Sequence, residues 1–270
     1  MLFTEIEKLK SLVKAAAKEE LLKDFGHSEF EYKEDGSVIT PADLAMQDRL
    51  EKELKHYWPM YDILGEEMTE IDQLAVLNKA RNKEAGFWCI DPLDGTSNYA
   101  AGLPFFAVSI ALIIGGQQYL GLIYDPIRDE MFTAIRGQGA YLNDDRINHS
   151  PSKSLANKPI VAEIDLKRLP EDLAVKLVTE RIFASQRNMG SSAVDWCWMA
   201  AGRFDVYLHG GQKMWDYAAG SLIFREAGGH SISLDNNEVF RGRFETRSVL
   251  ASFDKELFDY WYHWIGIPIK

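Results

Sequence analysis

Cysteine is scarce in this sequence, with only Cys89 and Cys197 in 270 residues. Each of them lies in an apolar run, so we expect two buried thiols in a reducing compartment. A disulfide between the two remains open at this point, but no further cysteines build a framework around it.

Long hydrophobic runs are also absent, because no apolar stretch reaches the about 18–20 residues that a membrane span needs. The first residues are charged and amphipathic, which is not the pattern of a secretion signal. We therefore expect a cytoplasmic protein with no membrane partner.

Positive charge is in deficit, with 30 Lys and Arg against 41 Asp and Glu and a net charge of −11. Nucleic acids and anionic membranes both require a basic surface, so we expect neither as a partner. A small phosphorylated substrate stays compatible, because bound metal ions reverse the local sign of the charge. The hydrophobic fraction of 46% predicts a globular core.

Hydrophobic periodicity predicts helices mixed with strands. Helices are predicted over residues 2–25, 40–57, 171–179, 191–201, 216–227 and 254–264. Strands are predicted over residues 61–64, 86–90, 105–114, 118–124, 130–135, 137–142, 160–164, 204–208 and 249–252. A short hairpin is expected over 33–38. Thr40 is a good N-cap for the second helix, and Asp43 stands in the capping-box position.

The polar stretch 148–159, rich in Ser, Pro and Lys, predicts a junction between two sub-domains. These would be 1–147, an α+β unit, and 148–270, an α/β unit. The expected fold is therefore a layered arrangement of helices and sheets.

The most informative stretch is 91–98, which reads Asp-Pro-Leu-Asp-Gly-Thr-Ser-Asn. Its two carboxylates suit a hard metal ion. The Gly-Thr-Ser turn that follows offers backbone N–H groups to an anion. This combination predicts a site where a metal ion and a phosphate meet.

Further acids stand at predicted strand ends or helix starts, namely Glu66-Glu67 and Asp216. Taken singly, each of these residues has a purely structural explanation. Glu66-Glu67 would be a solvated loop and Asp216 a helix N-cap, while Asp43 would be a capping acid and Thr96 a turn hydroxyl. The 91–98 stretch is harder to explain by structure alone. No His or Cys lies in the acidic clusters, which favours Mg²⁺ or Mn²⁺ over zinc.

The sequence resembles the inositol monophosphatase family, which are lithium-sensitive, magnesium-dependent phosphatases. The resemblance spans nearly the whole chain and rests on motifs in family order: Gly65-Glu66-Glu67, residues 91–99, Gly137-Gln138-Gly139-Ala140, Trp215-Asp216-Tyr217-Ala218-Ala219-Gly220 and Glu226-Ala227-Gly228-Gly229. It implies an αβαβα sandwich of the sugar-phosphatase type, and a homodimer.

The resemblance also implies five metal ligands. Glu66, Asp91 and the Leu93 carbonyl would hold a first Mg²⁺, and Asp91, Asp94 and Asp216 would hold a second. A third, weaker ion would lie near Asp43, so two or three ions are expected in each site.

By the same resemblance, Asp43, Glu67 and Thr96 are expected to be catalytic. Thr96, with Glu67 nearby, would orient the attacking water, and Gly95, Thr96 and Ser97 would bind the phosphate. Hydrolysis would proceed by direct attack of metal-activated water, with inversion at phosphorus.

The leaving group would be bound by other residues. Family members that handle inositol phosphates commonly carry Glu seven residues before the Trp-Asp aspartate, where this chain has His209. His209 could hydrogen-bond a polyol or be a loop histidine with no ligand. Lys213 could favour a second phosphate. The segment of Arg187, Gly190, Ser191 and Ser192 matches another substrate-side part of the family.

The expected substrate-side set is Glu66, Leu93, Asp94, Gly95, Thr96, Ser97, Arg187, Ser192, His209 and Asp216. The favoured substrate is a polyol or sugar phosphate resembling inositol 1-phosphate. The nucleotide branch of the family tends to carry Lys-Glu after this Thr, whereas Ser97-Asn98 follows Thr96 here and looks more like the inositol branch. The alternatives are 3′-phosphoadenosine 5′-phosphate, fructose 1,6-bisphosphate and histidinol phosphate. A regulatory role in RNA-polymerase complexes, known among family members, is the alternative from another functional class.

Overall fold

The computed structural model of the protein describes residues 3–34, 36–80, 85–148 and 159–267. The helices are α1 Phe3–Ala16, α2 Pro41–Tyr57, α3 Glu70–Lys79, α4 Thr96–Ala100, α5 Glu171–Glu180, α6 Ser192–Ala200, α7 Met214–Glu226 and α8 Lys255–Ile265. The strands are β1 Glu31–Tyr32, β2 Val38–Ile39, β3 Asp62–Gly65, β4 Gly86–Asp94, β5 Ala107–Ile114, β6 Gln117–Asp125, β7 Glu130–Ile135, β8 Ala140–Leu142, β9 Asp145–Arg146, β10 Val161–Asp165, β11 Ser185–Arg187, β12 Val206–Gln212, β13 His230–Ile232 and β14 Arg247–Ser252.

The first large sheet has seven strands in the order β3-β4-β5-β6-β7-β8-β9. Its β3 and β4 run parallel, and the remaining neighbours are antiparallel. Almost every residue of β4, β5 and β6 is buried, which means that both faces of the sheet are covered.

The second large sheet has five strands in the order β11-β10-β12-β14-β13. Here β10 runs parallel to both β11 and β12, and β14 is antiparallel to β12 and β13. The parallel strands β10 and β12 therefore end at the same edge of the sheet, where polar side chains can meet.

Helices cover both sheets in five layers. Leu9 of α1 and Leu50 of α2 pack in one apolar cluster with Trp88 of β4. A second cluster lies between the sheets and contains Trp196 of α6 and Phe224 of α7. A third covers the far face of the second sheet with residues of α5 and α8. The predicted αβαβα sandwich is confirmed.

The two sheets lie on either side of the predicted junction in the sequence, since β9 ends at Arg146 and β10 begins at Val161. However, α6 and α7 from the second half contact strands of the first sheet as well. The core is therefore continuous across the proposed boundary, and the division at 147/148 stays a prediction. Most of the junction itself, residues 149–158, lies outside the described ranges.

Several predicted boundaries are wrong in their details. The first helix does not continue to residue 25, because α1 passes into a π-helical turn at Ala17–Leu21 and then into turns. Strand β4 does not stop at residue 90, since pairing with β5 resumes at Asp94 after an irregularity. Asp216 is not the N-cap of α7: Lys213 is, and it donates its N–H to Asp216 Oδ2 at 2.7 Å.

Other expectations are confirmed. Thr40 precedes α2 and donates its N–H to Asp43 Oδ2 at 2.7 Å. The hairpin of β1 and β2 forms, although Asp35 at its turn lies outside the described residues. Cys89 and Cys197 are buried and free. Within the described ranges, no helix combines the length and apolar character that crossing a membrane requires.

Candidate active site

A cavity of 270 Å³ lies where the ends of β4, β10 and β12 meet the first turns of α4, α6 and α7. Most of the predicted site residues line it: Glu66, Asp91, Leu93, Asp94, Gly95, Thr96, Ser97, Ser192, His209 and Asp216. The first turns of helices present free N–H groups and the positive end of the helix dipole, so the cavity is suited to an anion.

The sharp passage from β4 to α4 depends on Gly95. Its φ is +98°, in the left-handed region that favours glycine. A Cβ at this position would lie 2.8 Å from the Phe105 carbonyl oxygen. Glycine therefore permits both the turn and the close approach that bring Thr96 to the cavity.

The four predicted acidic ligands, Glu66, Asp91, Asp94 and Asp216, line the cavity, and each has a raised pKa. Burial raises the pKa of Asp91 well above its usual range, and the charges of Glu66, Asp94 and Asp216 raise it further. Burial raises the pKa of Glu66 to about 7, although Lys33 opposes the effect. Burial raises the pKa of Asp94 to about 6, against hydrogen bonds from Ala193 and Ser191. Such crowding of acids favours a bound cation.

The chemistry of these donors fits magnesium. The predicted ligands offer carboxylate and carbonyl oxygens only, which hard divalent cations prefer. As the side chains are placed, no three His, Cys, Asp or Glu residues of the described ranges form a group that could hold an ion. Asp94 Oδ2 instead accepts hydrogen bonds from Ser191 Oγ, at 2.9 Å, and from the Ala193 N–H. The ligand assignment therefore stays a prediction.

Lys33 is a basic residue beside these acids that the sequence analysis did not predict. Its Nζ lies 2.7 Å from Glu67 Oε1 and 3.3 Å from Glu66 Oε1. The Glu67 N–H is in turn donated to Gln47 Oε1 at 3.2 Å. The sequence signal for Lys33 was weak, because a lysine in a hairpin is ordinarily solvated and its partners lie more than thirty positions away.

Thr96 lines the cavity and is in direct contact with Asp43, but neither Asp43 nor Glu67 is in the lining. Thr96 Oγ1 lies 2.9 Å from Asp43 Oδ1 and 3.0 Å from the Leu93 carbonyl oxygen. Burial raises the pKa of Asp43 to about 6, against its hydrogen bonds from Thr40 and Thr96. The predicted catalytic threonine is therefore held by an acid from α2.

Asn98 joins the two halves of the cavity. Its Nδ2 donates to the carbonyl oxygens of Phe105 and Met189, each at 2.7 Å. The segment before α6 is thereby tied to the loop after β4. The asparagine of the 91–98 stretch thus positions the site and does not line it.

Comparison with known proteins decides the family. A sequence model described as "Inositol monophosphatase family" matches residues 3–261. The chain belongs to the inositol monophosphatase family. It is 38% identical over 201 residues to "Nus factor SuhB" of Pasteurella multocida, covering 73% of this chain and 72% of that one. It is also 38% identical over 199 residues to "Inositol monophosphatase 1" of Solanum lycopersicum, covering 71% and 70%.

A solved structure agrees with this membership. The extragenic suppressor protein SuhB from Bartonella henselae superposes with a TM-score of 0.81 at 28% identity, covering 98% of this chain and 100% of that one. The inositol monophosphatase family acts on small phosphorylated substrates. Membership in it supports a phosphatase, and the substrate is a separate question.

On the substrate side, the structure brings some predicted residues to the cavity and leaves one out. His209, Ser192 and Lys213 line it. Arg187 is exposed and does not, because its guanidinium donates to Ser185 Oγ at 2.6 Å and to the Gln186 carbonyl. A substrate role for Arg187 stays a prediction that this conformation does not support.

The cavity lining also includes residues that were not predicted, among them Asp165, Arg168, Asn188 and Asp195. Asp165 ends a buried strand, which is the same signal that drew attention to Asp91. The predicted strand over 160–164 ends directly before Asp165, so the sequence itself carried this signal.

Proposed function

We propose that this protein is a Mg²⁺-dependent phosphate monoester hydrolase that acts on a small polyol or sugar phosphate. One observation carries the proposal: the four predicted acidic ligands and the Gly95-Thr96-Ser97 turn line the same cavity. A cation site next to an anion site is what hydrolysis of a phosphate ester by water requires.

In this proposal Glu66, Asp91, Asp94 and Asp216, with the Leu93 carbonyl, hold the magnesium ions. When bound, magnesium lowers the pKa of water and neutralises charge on the ester oxygens.

The residues of α4 and its cap have other tasks. The hydroxyls of Thr96 and Ser97 and the backbone N–H groups at the start of α4 bind the phosphate oxygens. Thr96 Oγ1, held between Asp43 and the Leu93 carbonyl, orients the attacking water. Glu67 acts beside it through the contact with Lys33.

The test is a phosphate-release screen over inositol, sugar, nucleotide and amino-alcohol phosphates, with Mg²⁺ titrated and then removed by a chelator. We expect turnover of a polyol or sugar phosphate that depends on Mg²⁺. Release from 3′-phosphoadenosine 5′-phosphate, fructose 1,6-bisphosphate or histidinol phosphate alone would replace the proposed substrate. Turnover that survives the chelator would contradict the metal requirement.

Asp94→Asn tests the acid cluster, with exposed Asp48→Asn of α2 as its matched control. We expect Asp94→Asn to lower turnover by more than the about 100-fold that changes around metal ligands cause. The turnover of the Asp48→Asn protein should equal that of the unsubstituted protein. Unchanged Mg²⁺-dependent turnover in a folded Asp94→Asn protein would remove Asp94 from the site.

The proposal extends to inhibition by lithium, a cytoplasmic location and a homodimer, which rest on the family resemblance. Light scattering on the purified protein measures the oligomeric state. The acidic net charge of −11 supports the expectation that nucleic acid is not a partner.

A second candidate is a regulatory role in RNA-polymerase complexes. The name "Nus factor SuhB" of a relative at 38% identity is the observation that favours it. It would replace catalysis as the main function if the protein bound purified RNA polymerase stoichiometrically and released no phosphate from any ester in the screen.

A further inference from the structure

Asp165 and His209 form a pair at the edge of the second sheet. Asp165 is the last residue of β10, and His209 is its partner in the parallel register with β12. Both line the cavity that holds the predicted phosphate site. Adjacent parallel strands lie about 4.8 Å apart, so the two side chains reach each other without any backbone distortion.

The hydrogen bonds of His209 fix which nitrogen carries the proton. The Gly211 N–H donates to His209 Nδ1 at 3.0 Å, which makes Nδ1 the acceptor. The proton is then on Nε2, which lies 3.2 Å from Asp165 Oδ2. His209 is 5% exposed, so it is held by the protein and has little surface left for a ligand.

Asp165 is the member of the pair that a ligand can reach. Its side chain is 20% exposed, and its Oδ1 accepts the Lys167 N–H at 2.9 Å. Burial alone would raise the pKa of Asp165, but the hydrogen bonds from His209 and Lys167 hold it below its usual range. An ionised carboxylate accepts hydrogen bonds only, and each of its oxygens can take more than one.

Arg168 lines the same cavity and carries guanidinium donors. The turn that carries it lies against β12 at Gly210, where a Cβ would clash with the Arg168 carbonyl oxygen. Its positive charge also lowers the pKa of Asp165. An acceptor and a donor of opposite charge in the lining of one cavity suit a neutral alcohol with several hydroxyls better than an ammonium group.

We propose that Asp165, positioned by His209, is a specificity-determining residue that accepts hydrogen bonds from hydroxyl groups of the leaving alcohol. This inference rests on the proposed phosphatase function. It assigns the polyol contact to a carboxylate on β10, and it makes His209 a positioning residue.

The experiment compares two esters on purified, Mg²⁺-loaded protein: inositol 1-phosphate and 4-nitrophenyl phosphate, whose leaving group has no further hydroxyl. We expect Asp165→Asn to lower kcat/KM for inositol 1-phosphate by about 10- to 100-fold, mainly through KM, because a hydrogen bond to a charged group is lost. For 4-nitrophenyl phosphate, kcat/KM should change by less than about twofold. The matched control is Asp48→Asn, which should leave kcat/KM unchanged for both esters.

His209→Ala tests the positioning role. We expect it to raise KM for inositol 1-phosphate and to spare 4-nitrophenyl phosphate. The double variant with Asp165→Asn should be no worse than Asp165→Asn alone, because His209 acts through Asp165. Additive losses in the double variant would overturn the positioning role.

Other outcomes overturn the inference in distinguishable ways. Equal losses on both esters, or an unchanged KM for inositol 1-phosphate, contradict it while leaving the phosphatase proposal intact. A loss in Asp165→Asn confined to ethanolamine phosphate would show recognition of an ammonium group and contradict the hydroxyl assignment. If the unsubstituted protein hydrolyses neither ester with Mg²⁺, the proposed function fails and this inference fails with it.

Discussion

The hydroxyl of Thr96 lies 2.9 Å from Oδ1 of Asp43, across 53 positions of sequence. The contact joins the first turn of α2 to the first residue of α4. Asp43 Oδ2 is already used by Thr40, whose N–H and hydroxyl lie 2.7 and 2.6 Å away. A capping acid of one helix therefore also fixes the orientation of a side chain in the Gly95-Thr96-Ser97 turn.

This contact predicts a difference between two replacements of Thr96. Thr96→Val keeps the shape but removes the hydroxyl, so we expect kcat to fall by roughly 10²-fold or more. Thr96→Ser keeps the hydroxyl and should retain most of the activity. Steady-state kinetics on the best ester of the screen measure kcat for both variants. Equal kcat values for Thr96→Val and Thr96→Ser would mean that the hydroxyl has no part in the mechanism.

Gly95→Ala should destabilise the protein and lower its activity. The left-handed φ of +98° costs about 1–2 kcal/mol for an L-residue, and the contact with Phe105 adds to this cost. Gly228→Ala is the control, since Gly228 has a φ of +94° but open space around its Cβ position. Denaturant unfolding should show the larger loss for Gly95→Ala, and equal losses would mean that the Phe105 contact is unimportant.

Glu163 predicts a pH-dependent stability. It is fully buried, and its Oε2 has no hydrogen-bond partner in the described part of the chain. Burial raises the pKa of Glu163 to about 7, which is above the value of about 4.3 in an unfolded chain. The folded state therefore binds the proton more tightly, and stability is lost as the pH rises from about 4.3 through 7.

We accordingly expect Glu163→Gln to be more stable than the unsubstituted protein at pH 8, by on the order of 2 kcal/mol, and to lose this advantage near pH 5. The amide still accepts the Met189 N–H that Glu163 Oε1 accepts at 3.1 Å. Thermal unfolding from pH 5 to 8 measures the difference, with exposed Glu256→Gln as the control. A pH-independent difference would contradict the raised pKa.

The two thiols should be unreactive in the folded protein. Burial raises the pKa of both Cys89 and Cys197, and the thiolate is the reactive form. An aromatic disulfide reagent at pH 8 should detect neither thiol before denaturation and both afterwards. Ser11→Cys, exposed on α1, provides a reactive control. Rapid labelling of either native cysteine would show that the region between the sheets opens.

The 91–98 stretch could be interpreted from the sequence because its function is local. Two acids, a proline and a glycine follow one another, so no fold is needed to bring them together. The helix α2 was predicted for the same reason, since Thr40, Pro41 and Asp43 form its first turn. Short elements such as β9, β11 and β13 were missed, because two or three residues carry no periodic signal.

The contacts of Lys33 with Glu66 and Glu67, and of His209 with Asp165, could not be predicted in this way. They depend on a hairpin folding back over a strand end and on the register between β10 and β12. A sequence does not show which strands become neighbours. The expectation for His209 therefore left open whether it binds a polyol or has no ligand.

The sequence by itself determined the family, the layered fold and the presence of two acids directly before a Gly-Thr-Ser turn, since those properties depend on residues adjacent in the chain or on hydrophobic periodicity. Only the tertiary structure decided which acids share one cavity, that Asp43 holds Thr96, and that Asp165 is the more exposed member of its pair with His209. The physical reason is that burial, hydrogen bonding and charge coupling depend on distances in space, which strand order and register set.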